Sequence, residues 1–187
     1  MYYDEELLEA KRERERRKHT TLETGIYAGD ELIEFVYIIL PNSQIYVPLP
    51  KRFVVMPDVI KNVKYPSMFA PEFIMSSLDV TVNFGFNQLK INDGDVRSMC
   101  IQFQAALKNI NPSISIRKQA EDKTCQNKEM IWFEYYGFQL DGQSYNRVCL
   151  IKMKYSILHV VFSCPLEDKE NWVIIIEQIF ISIKEEL

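Results

Sequence analysis

The sequence predicts an α+β fold in which an antiparallel β-sheet is covered by helices on both faces, as an αβα sandwich. Three strand-like runs at 129–140, 143–153 and 157–164 follow one another closely, and an Asp-Gly pair at 141–142 favours a tight hairpin turn. A long helix after Pro165 repeats apolar residues along one side: Trp172, Ile175, Ile176, Ile179 and Ile183. Because such a helix must bury this side, we expect it to pack on the sheet.

Residues 1–24 are predicted to form a charged helical extension outside a single domain at 25–187. Within 4–18, six acidic side chains are balanced by six basic ones, with acids in the first turn and bases in the last, as the helix dipole favours. Only three of these residues are apolar, so the segment cannot build a core. A docking helix or a nucleic-acid arm is one interpretation, but the balanced charge favours a solvated extension.

The next part of the chain predicts a hairpin and a short helix. Residues 32–40 and 44–49 are strand-like and are separated by a Pro-Asn-Ser turn. Pro48 and Pro50 cannot donate to a ladder, so the second arm is expected to be an edge strand or to leave the sheet early. A short helix is predicted to begin near Asp58.

A strand and an amphipathic helix are predicted before the aromatic strand. Residues 78–86 alternate apolar and polar, which is typical of a strand with one wet face. Residues 95–110 repeat apolar positions at three and four, with Asp93 or Asp95 as the N-cap. Ser113 to Ala120 and a polar linker through Asn127 then lead into the first of the three strand-like runs.

The aromatic strand at 129–140 has large apolar side chains on both faces. Trp132, Tyr136 and Phe138 point one way, and Ile131, Phe133 and Tyr135 point the other. This pattern predicts a central strand of the sheet, with a helix on each side.

Composition limits the classes of partner. The net charge of -4 and the pI near 5.3 argue against nucleic acid. No apolar run reaches the roughly 18 residues that span a bilayer, so no membrane partner is expected. The chain does not start with the basic and then apolar stretches of a secretory signal peptide. Together with the expected free thiols, this predicts a cytoplasmic protein of bacterial origin. The cysteines lack a C-x-x-C pair and are expected to be mostly buried free thiols: Cys100, Cys125, Cys149 and Cys164.

No catalytic residue, cofactor or metal site is predicted. Neither glycine-rich phosphate motif is present, and His19 and His159 lack metal-ligand spacing. His159 and Cys164 are five residues apart on one strand, so they should lie on opposite faces. Glu134 has no evident reason to stand in an aromatic strand; we expect it to pair with Arg or Lys across the sheet rather than line a pocket. Glu134, His159 and a thiol in one surface pocket would indicate an enzyme.

The aromatic hairpin has two interpretations, either as sheet core or as a concave floor for a ligand or partner. Methionines in nearby turns suit varied apolar shapes. The candidate partner-binding residues are Trp132, Tyr135, Tyr136, Tyr145, Met68 and Met75.

From residue 95 onward a helix, three long strands with an Asp-Gly hairpin and an apolar helix follow one another. Residues at the strand and helix ends and at 49–53 match the same pattern: Leu49, Pro50, Phe53, Phe162, Ser163, Cys164, Pro165, Trp172, Ile179, Ser182, Ile183 and Lys184. On these residues and this order of elements, the chain resembles the PsbP-like superfamily. That superfamily includes photosystem lumenal proteins, a Ran-binding nuclear import factor, DcrB-like proteins and small secretion chaperones. The resemblance implies an antiparallel sheet between helices and a protein that binds other proteins rather than catalysing a reaction.

The predicted function is therefore that of a non-catalytic, protein-binding adaptor or chaperone-like domain. The alternative is a small-molecule binding domain with a cleft between the sheet and a helix.

Overall fold

The computed structural model describes residues 2–65, 70–90, 95–139 and 142–186. The helices are α1 (Tyr2–Arg16), α2 (Asp58–Lys64), α3 (Val96–Ile110) and α4 (Lys169–Ser182). The strands are β1 (Thr20–Thr21), β2 (Gly25–Ala28), β3 (Glu31–Ile33), β4 (Phe35–Ile39), β5 (Ile45–Pro50), β6 (Val54–Val55), β7 (Phe73–Ser76), β8 (Asn83–Leu89), β9 (Ser115–Lys123), β10 (Glu129–Gln139), β11 (Gly142–Lys152), β12 (Ile157–Pro165) and β13 (Lys184–Glu185).

Within these ranges the strands form one large sheet and two small ones, and every pairing is antiparallel. The large sheet has seven strands in the order β6-β7-β8-β12-β11-β10-β9. The small sheets have the orders β1-β2-β3 and β13-β5-β4. The predicted α+β class with an antiparallel sheet is confirmed.

Each face of the large sheet has its own apolar cluster. One cluster joins the sheet to α3, through residues such as Val96, Cys100 and Phe133. The other joins the opposite face to α4 and β5, and the α4 residues predicted to be apolar on one side are all buried in it. Asp95 caps α3 by accepting hydrogen bonds from the amides of Arg97 and Ser98.

The aromatic strand β10 presents its two faces as predicted but is not central. Trp132 and Tyr136 belong to the cluster with α4, while Phe133 and Tyr135 belong to the cluster with α3. The strand β10 lies second from the edge, because the polar segment after α3 forms β9, which the sequence pattern did not indicate. The charged residues of β9 are typical of a linker, but an edge strand that faces solvent accommodates them as well.

The predicted strand 78–86 is wrong in its first half. Residues 77–82 form a turn in which the Asp79 carboxylate accepts hydrogen bonds from the hydroxyls of Ser77 and Thr81. Val80 has φ 64°, in the left-handed region, which ends any strand there. The strand begins at Asn83, and the unpredicted β7 lies beside it.

The predicted hairpin of 32–40 with 44–49 is confirmed for β4 and β5, but its first arm is divided, because Leu32 and Ile33 belong to β3 in the other small sheet. The strand β5 is the middle strand of its sheet, but β13 pairs only with Ile45 and Tyr46. Pro48 and Pro50 therefore lie beyond the end of β13. No described strand is paired with them on that side, so their lack of an N–H costs no hydrogen bond of the sheet.

The charged helix α1 is exposed along its described side chains and is tied down near its end. Arg16 forms an ion pair with Asp30 at 2.6 Å and donates to the Gly29 carbonyl. Among the residues that the structure describes, no helix is long and apolar enough to span a membrane.

Candidate functional site

Nine residues gather at the β9–β11 end of the large sheet, on the face that carries α4; we call them the cation–aromatic site. They are Arg117, Lys118, Trp132, Glu134, Tyr136, Tyr145, Arg147, Lys169 and Glu177. The hairpin register sets Glu134 opposite Arg147 and Tyr136 opposite Tyr145. Because directly opposed residues share a face, these four side chains meet, and α4 adds Lys169 and Glu177.

The inner half of the site is a buried ionic network. The Arg147 side chain is only 1% exposed, and its guanidinium donates to Glu134 at 3.3 Å and to Glu177 at 3.1 Å. Its Nε donates to the Tyr145 hydroxyl at 2.9 Å, and that hydroxyl donates to Glu134 at 2.7 Å. Burial raises the pKa of Tyr145, so the phenol stays a donor. The expectation that Glu134 pairs across the sheet is confirmed.

Cations lie over the rings of the site. The Arg147 guanidinium carbon is 4.3 Å from the Trp132 ring centre, and the Lys118 ammonium is 5.2 Å from the same centre. The Tyr136 ring has Arg117 at 5.1 Å and Lys169 at 5.5 Å. These separations are within the range at which a ring face attracts a cation.

A bulge explains how two successive basic residues reach one face. The register between β10 and β9 shifts between Glu134 and Tyr135, so that Glu134 faces Lys118 but Tyr135 faces Ile116. Arg117 is the extra residue of the bulge. In a regular strand, Arg117 and Lys118 would point to opposite faces.

The site carries an excess of positive charge. It has four cations, Arg117, Lys118, Arg147 and Lys169, and two carboxylates, Glu134 and Glu177, which gives +4 − 2 = +2 on a chain of net charge -4. Arg117 and Lys118 are exposed, and Lys169 donates to the Tyr136 hydroxyl at 3.1 Å, which raises the pKa of Lys169. The cations of the site therefore attract carboxylate groups and can donate hydrogen bonds to them. The edges of the aromatic rings provide further contacts.

The structure separates the six residues predicted to bind a partner. Trp132, Tyr145 and Met75 are buried in the cluster with α4, and Tyr136 is half-buried beside them. In the folded chain, Trp132, Tyr145 and Met75 therefore serve as core, and a partner has access to Tyr136. The other two candidates are placed differently.

Tyr135 belongs to the opposite face, where it is opposite Asn146 in the register and is half-buried. Burial raises the pKa of Tyr135 to about 12. Met68 lies outside the described residues.

Glu134, His159 and the thiols do not come together. His159 is on the α3 face, where its ring lies 4.3 Å from that of Phe103 and its Nδ1 is 3.1 Å from the Asn87 amide nitrogen. Cys164 lies in the opposite cluster, as the odd spacing predicted. Burial raises the pKa of Cys164 to about 12, so the thiol form dominates. In the described part of the chain, no three His, Cys, Asp or Glu side chains are grouped to hold a metal.

Sequence reasoning missed five members of the site, and the face of one of them could have been found. Alternation along the predicted hairpin puts Arg147 on the same face as Glu134, but the Asp-Gly turn predicted at 141–142 would set Glu134 opposite Cys149. In the structure Gln139 is opposite Gly142, which sets Glu134 opposite Arg147. Arg117 and Lys118 depend on the bulge, and Lys169 and Glu177 depend on where α4 crosses the sheet. No local pattern indicates these four.

A separate cleft bears on the alternative of a small-molecule site. It has a volume of about 530 Å³ and lies between β3, the turn at 51–53, the turn at 77–82 and the N-terminal end of α4. This volume is typical of pockets that hold small ligands.

No family model and no curated protein matches this sequence. Solved structures do match. The cyanobacterial PsbP (CyanoP) of Synechocystis sp. PCC 6803 is 9% identical with a TM-score of 0.62, over 84% of this chain and 96% of CyanoP. LpqN of Mycobacterium tuberculosis, described as involved in cell envelope biogenesis, is 10% identical with a TM-score of 0.51, over 89% of this chain and 98% of LpqN.

A protein of Bacteroides thetaiotaomicron is 13% identical with a TM-score of 0.51, over 81% of this chain and 48% of its own. At such identities a likeness shows the fold alone. The predicted PsbP-like fold is confirmed.

Proposed function

We propose that this protein, whose fold is PsbP-like, is a non-catalytic adaptor or chaperone-like domain that binds an acidic segment of another protein at the cation–aromatic site. One observation carries the proposal: four cations lie over or beside the rings of Trp132, Tyr136 and Tyr145 with only two carboxylates among them. Tyr, Trp and Arg are the residues that most often dominate the energetics of protein interfaces.

The two halves of the site have different roles. The buried Arg147–Glu134 pair holds the Trp132 and Tyr145 rings in place. Its two charges neutralise each other inside the protein, so they are not available to a ligand. Arg117 and Lys118 are exposed at the rim and make no ion pair with any described residue, so they remain available to a ligand's carboxylates. The Arg117 guanidinium can bind such a carboxylate through two parallel hydrogen bonds.

An acidic protein segment fits this surface better than nucleic acid does. The carboxylates of Glu134 and Glu177 lie among the cations, and the whole chain is acidic. Binding a phosphate backbone depends on a surplus of Lys and Arg, whereas an acidic peptide presents separate carboxylates that can each pair with one exposed cation. The cytoplasmic location stays a prediction, since LpqN, of the same fold, is described as involved in cell envelope biogenesis.

The test measures binding of a fluorescein-labelled oligoglutamate by anisotropy. We expect saturable binding at about 0.05 M NaCl that weakens at about 0.3 M, because screening shortens the reach of the exposed cations. An oligolysine of equal length should not bind. Reversing both rim charges with Arg117→Glu and Lys118→Glu should weaken binding at least about tenfold, which corresponds to about 1.4 kcal/mol.

The matched control reverses two exposed cations outside the site, Lys108→Glu and Lys123→Glu, and changes the net charge by the same amount. We expect it to bind nearly as tightly as the unmodified protein. Equal weakening in both double variants would mean that net charge alone is responsible and would refute the proposal. Tighter binding of an oligothymidylate than of oligoglutamate would assign the surface to nucleic acid instead.

A further inference from the structure

The cleft beside α4 is a second site, separate from the cation–aromatic site. We infer that it binds a small organic ammonium ion with an apolar body. The inference rests on the floor of the cleft, on its charge balance and on its volume, and it does not depend on the proposed protein-binding function.

The floor of the cleft is aromatic. The rings of Phe53 and Trp172 lie 6.1 Å apart, and Phe53 is the same distance from Phe84 beneath. Trp172 is only 6% exposed, so the part of the indole that reaches solvent does so at this cleft. Leu78, at the rim, is largely exposed and adds an apolar wall. An apolar ligand body would cover this surface.

The walls carry four carboxylates and two cations. Two of the carboxylates are neutralised within the cleft, since Arg52 pairs with Glu31 at 2.8 Å and Lys51 with Glu34 at 3.7 Å. Asp79 and Asp168 have no ion-pair partner among the described residues, although both line the cleft. The cleft therefore has two uncompensated negative charges next to an aromatic floor.

Asp79 is fixed and ionised. Its Oδ1 accepts hydrogen bonds from the Ser77 hydroxyl at 2.5 Å, the Thr81 amide at 3.2 Å and the Thr81 hydroxyl at 2.9 Å. The bond from Ser77, followed by those from Thr81, lowers the pKa of Asp79. All three bonds go to one oxygen, which leaves Oδ2 to accept from a ligand. A carboxylate held in this way loses little freedom on binding.

Asp168 is the second carboxylate without an ion pair among the described residues. It occupies the N-cap position of α4, but its side chain makes no capping hydrogen bond. An ammonium group in the cleft would be attracted by the charges of both Asp79 and Asp168, and its substituents would contact Phe53 and the part of Trp172 that lines the cleft. Aromatic side chains attract quaternary ammonium ions. A cleft of about 530 Å³ admits such a ligand together with an aromatic or alkyl body.

The test uses Trp172 as the reporter in a Trp132→Phe background, where it is the remaining tryptophan. The probe is benzyltrimethylammonium, with benzyl alcohol as the neutral probe and benzoate as the anionic one. We expect a saturable change in Trp172 emission with benzyltrimethylammonium and binding at least about tenfold weaker with the other two.

The variant Asp79→Asn, Asp168→Asn should weaken benzyltrimethylammonium binding at least about tenfold. The control Asp122→Asn, Glu129→Gln removes the same charge from exposed positions on β9 and β10 and should bind normally. If the first variant fails to fold by circular dichroism, Asp168→Asn alone should still weaken binding about threefold or more. Benzyl alcohol binding as tightly as the ammonium probe, or equal affinity in the variant and its control, would overturn the inference.

Discussion

Replacing Glu134 by leucine tests whether the buried ionic network holds the cation–aromatic site together. The substitution leaves Arg147, 1% exposed, with the Glu177 carboxylate as its remaining anion. Because the Glu177 side chain is 44% exposed, its pairing with Arg147 contributes only about 0–1 kcal/mol. Removing one partner of a buried ion pair costs about 3–5 kcal/mol. For a chain of this length, that lowers the melting temperature by about 6–20 °C.

Two companion variants and one control measure the coupling between Glu134 and Arg147. Arg147→Met alone should cost a similar amount, since it leaves Glu134 buried without its cation. The double variant should cost only about 1–3 kcal/mol, because both buried charges are gone. The buried Tyr145 hydroxyl then loses its partners, while Glu177, which also loses Arg147, is exposed enough to be hydrated. Urea unfolding followed by circular dichroism gives the four free energies of unfolding. Costs that simply add, with a coupling energy near zero, would show that the pair is not coupled; Glu177→Gln is the control and should cost less than about 1 kcal/mol.

Two further predictions concern the α3 face. Burial lowers the pKa of His159 to about 4, against about 6.5 in the unfolded chain, so protonation favours unfolding and stability falls as the pH drops. Protonation of His159 should lower the free energy of unfolding by about 2 kcal/mol between pH 7 and pH 5. The variant His159→Phe should not show this loss. Identical pH dependence of urea unfolding in both proteins would contradict the prediction. Gly85→Ala would place its Cβ 2.5 Å from the rigid ring of Pro71 and should destabilise by about 1–3 kcal/mol. Pro71→Ala should recover most of this loss in a thermal melt, and no recovery would show that the contact is not the cause.

The shared face of Glu134 and Arg147 was contained in the sequence, but their direct pairing was not. Alternation along β10 and β11 assigns each side chain to one face, whereas the turn predicted at 141–142 gives a register that differs from the observed pairing of Gln139 with Gly142. Burial of Cys149 and Cys164 and the separation of His159 from Cys164 follow from the same period of two, and burial of Cys100 follows from the helical period of α3. These features depend only on residues close together in one hairpin, one strand or one helix.

Local alternation was misleading at residues 78–82. The pattern there matches a strand, yet the Asp79 carboxylate organises a turn through three hydrogen bonds on one oxygen. Short polar side chains can form hydrogen bonds with backbone groups that would otherwise pair with a neighbouring strand. The spacing of apolar residues does not predict such hydrogen bonds. The position of the turn decides that Asp79 lines the cleft beside α4.

The sequence by itself determined the strands of the C-terminal hairpins, the faces of their side chains and the apolar side of the last helix, because these are set by periodicity over a few neighbouring residues. Only the tertiary structure decided that Arg117 and Lys118 share a face with Trp132 and that Lys169 reaches Tyr136. A bulge and the crossing of a helix over a sheet are set by packing among distant segments, which no local pattern encodes.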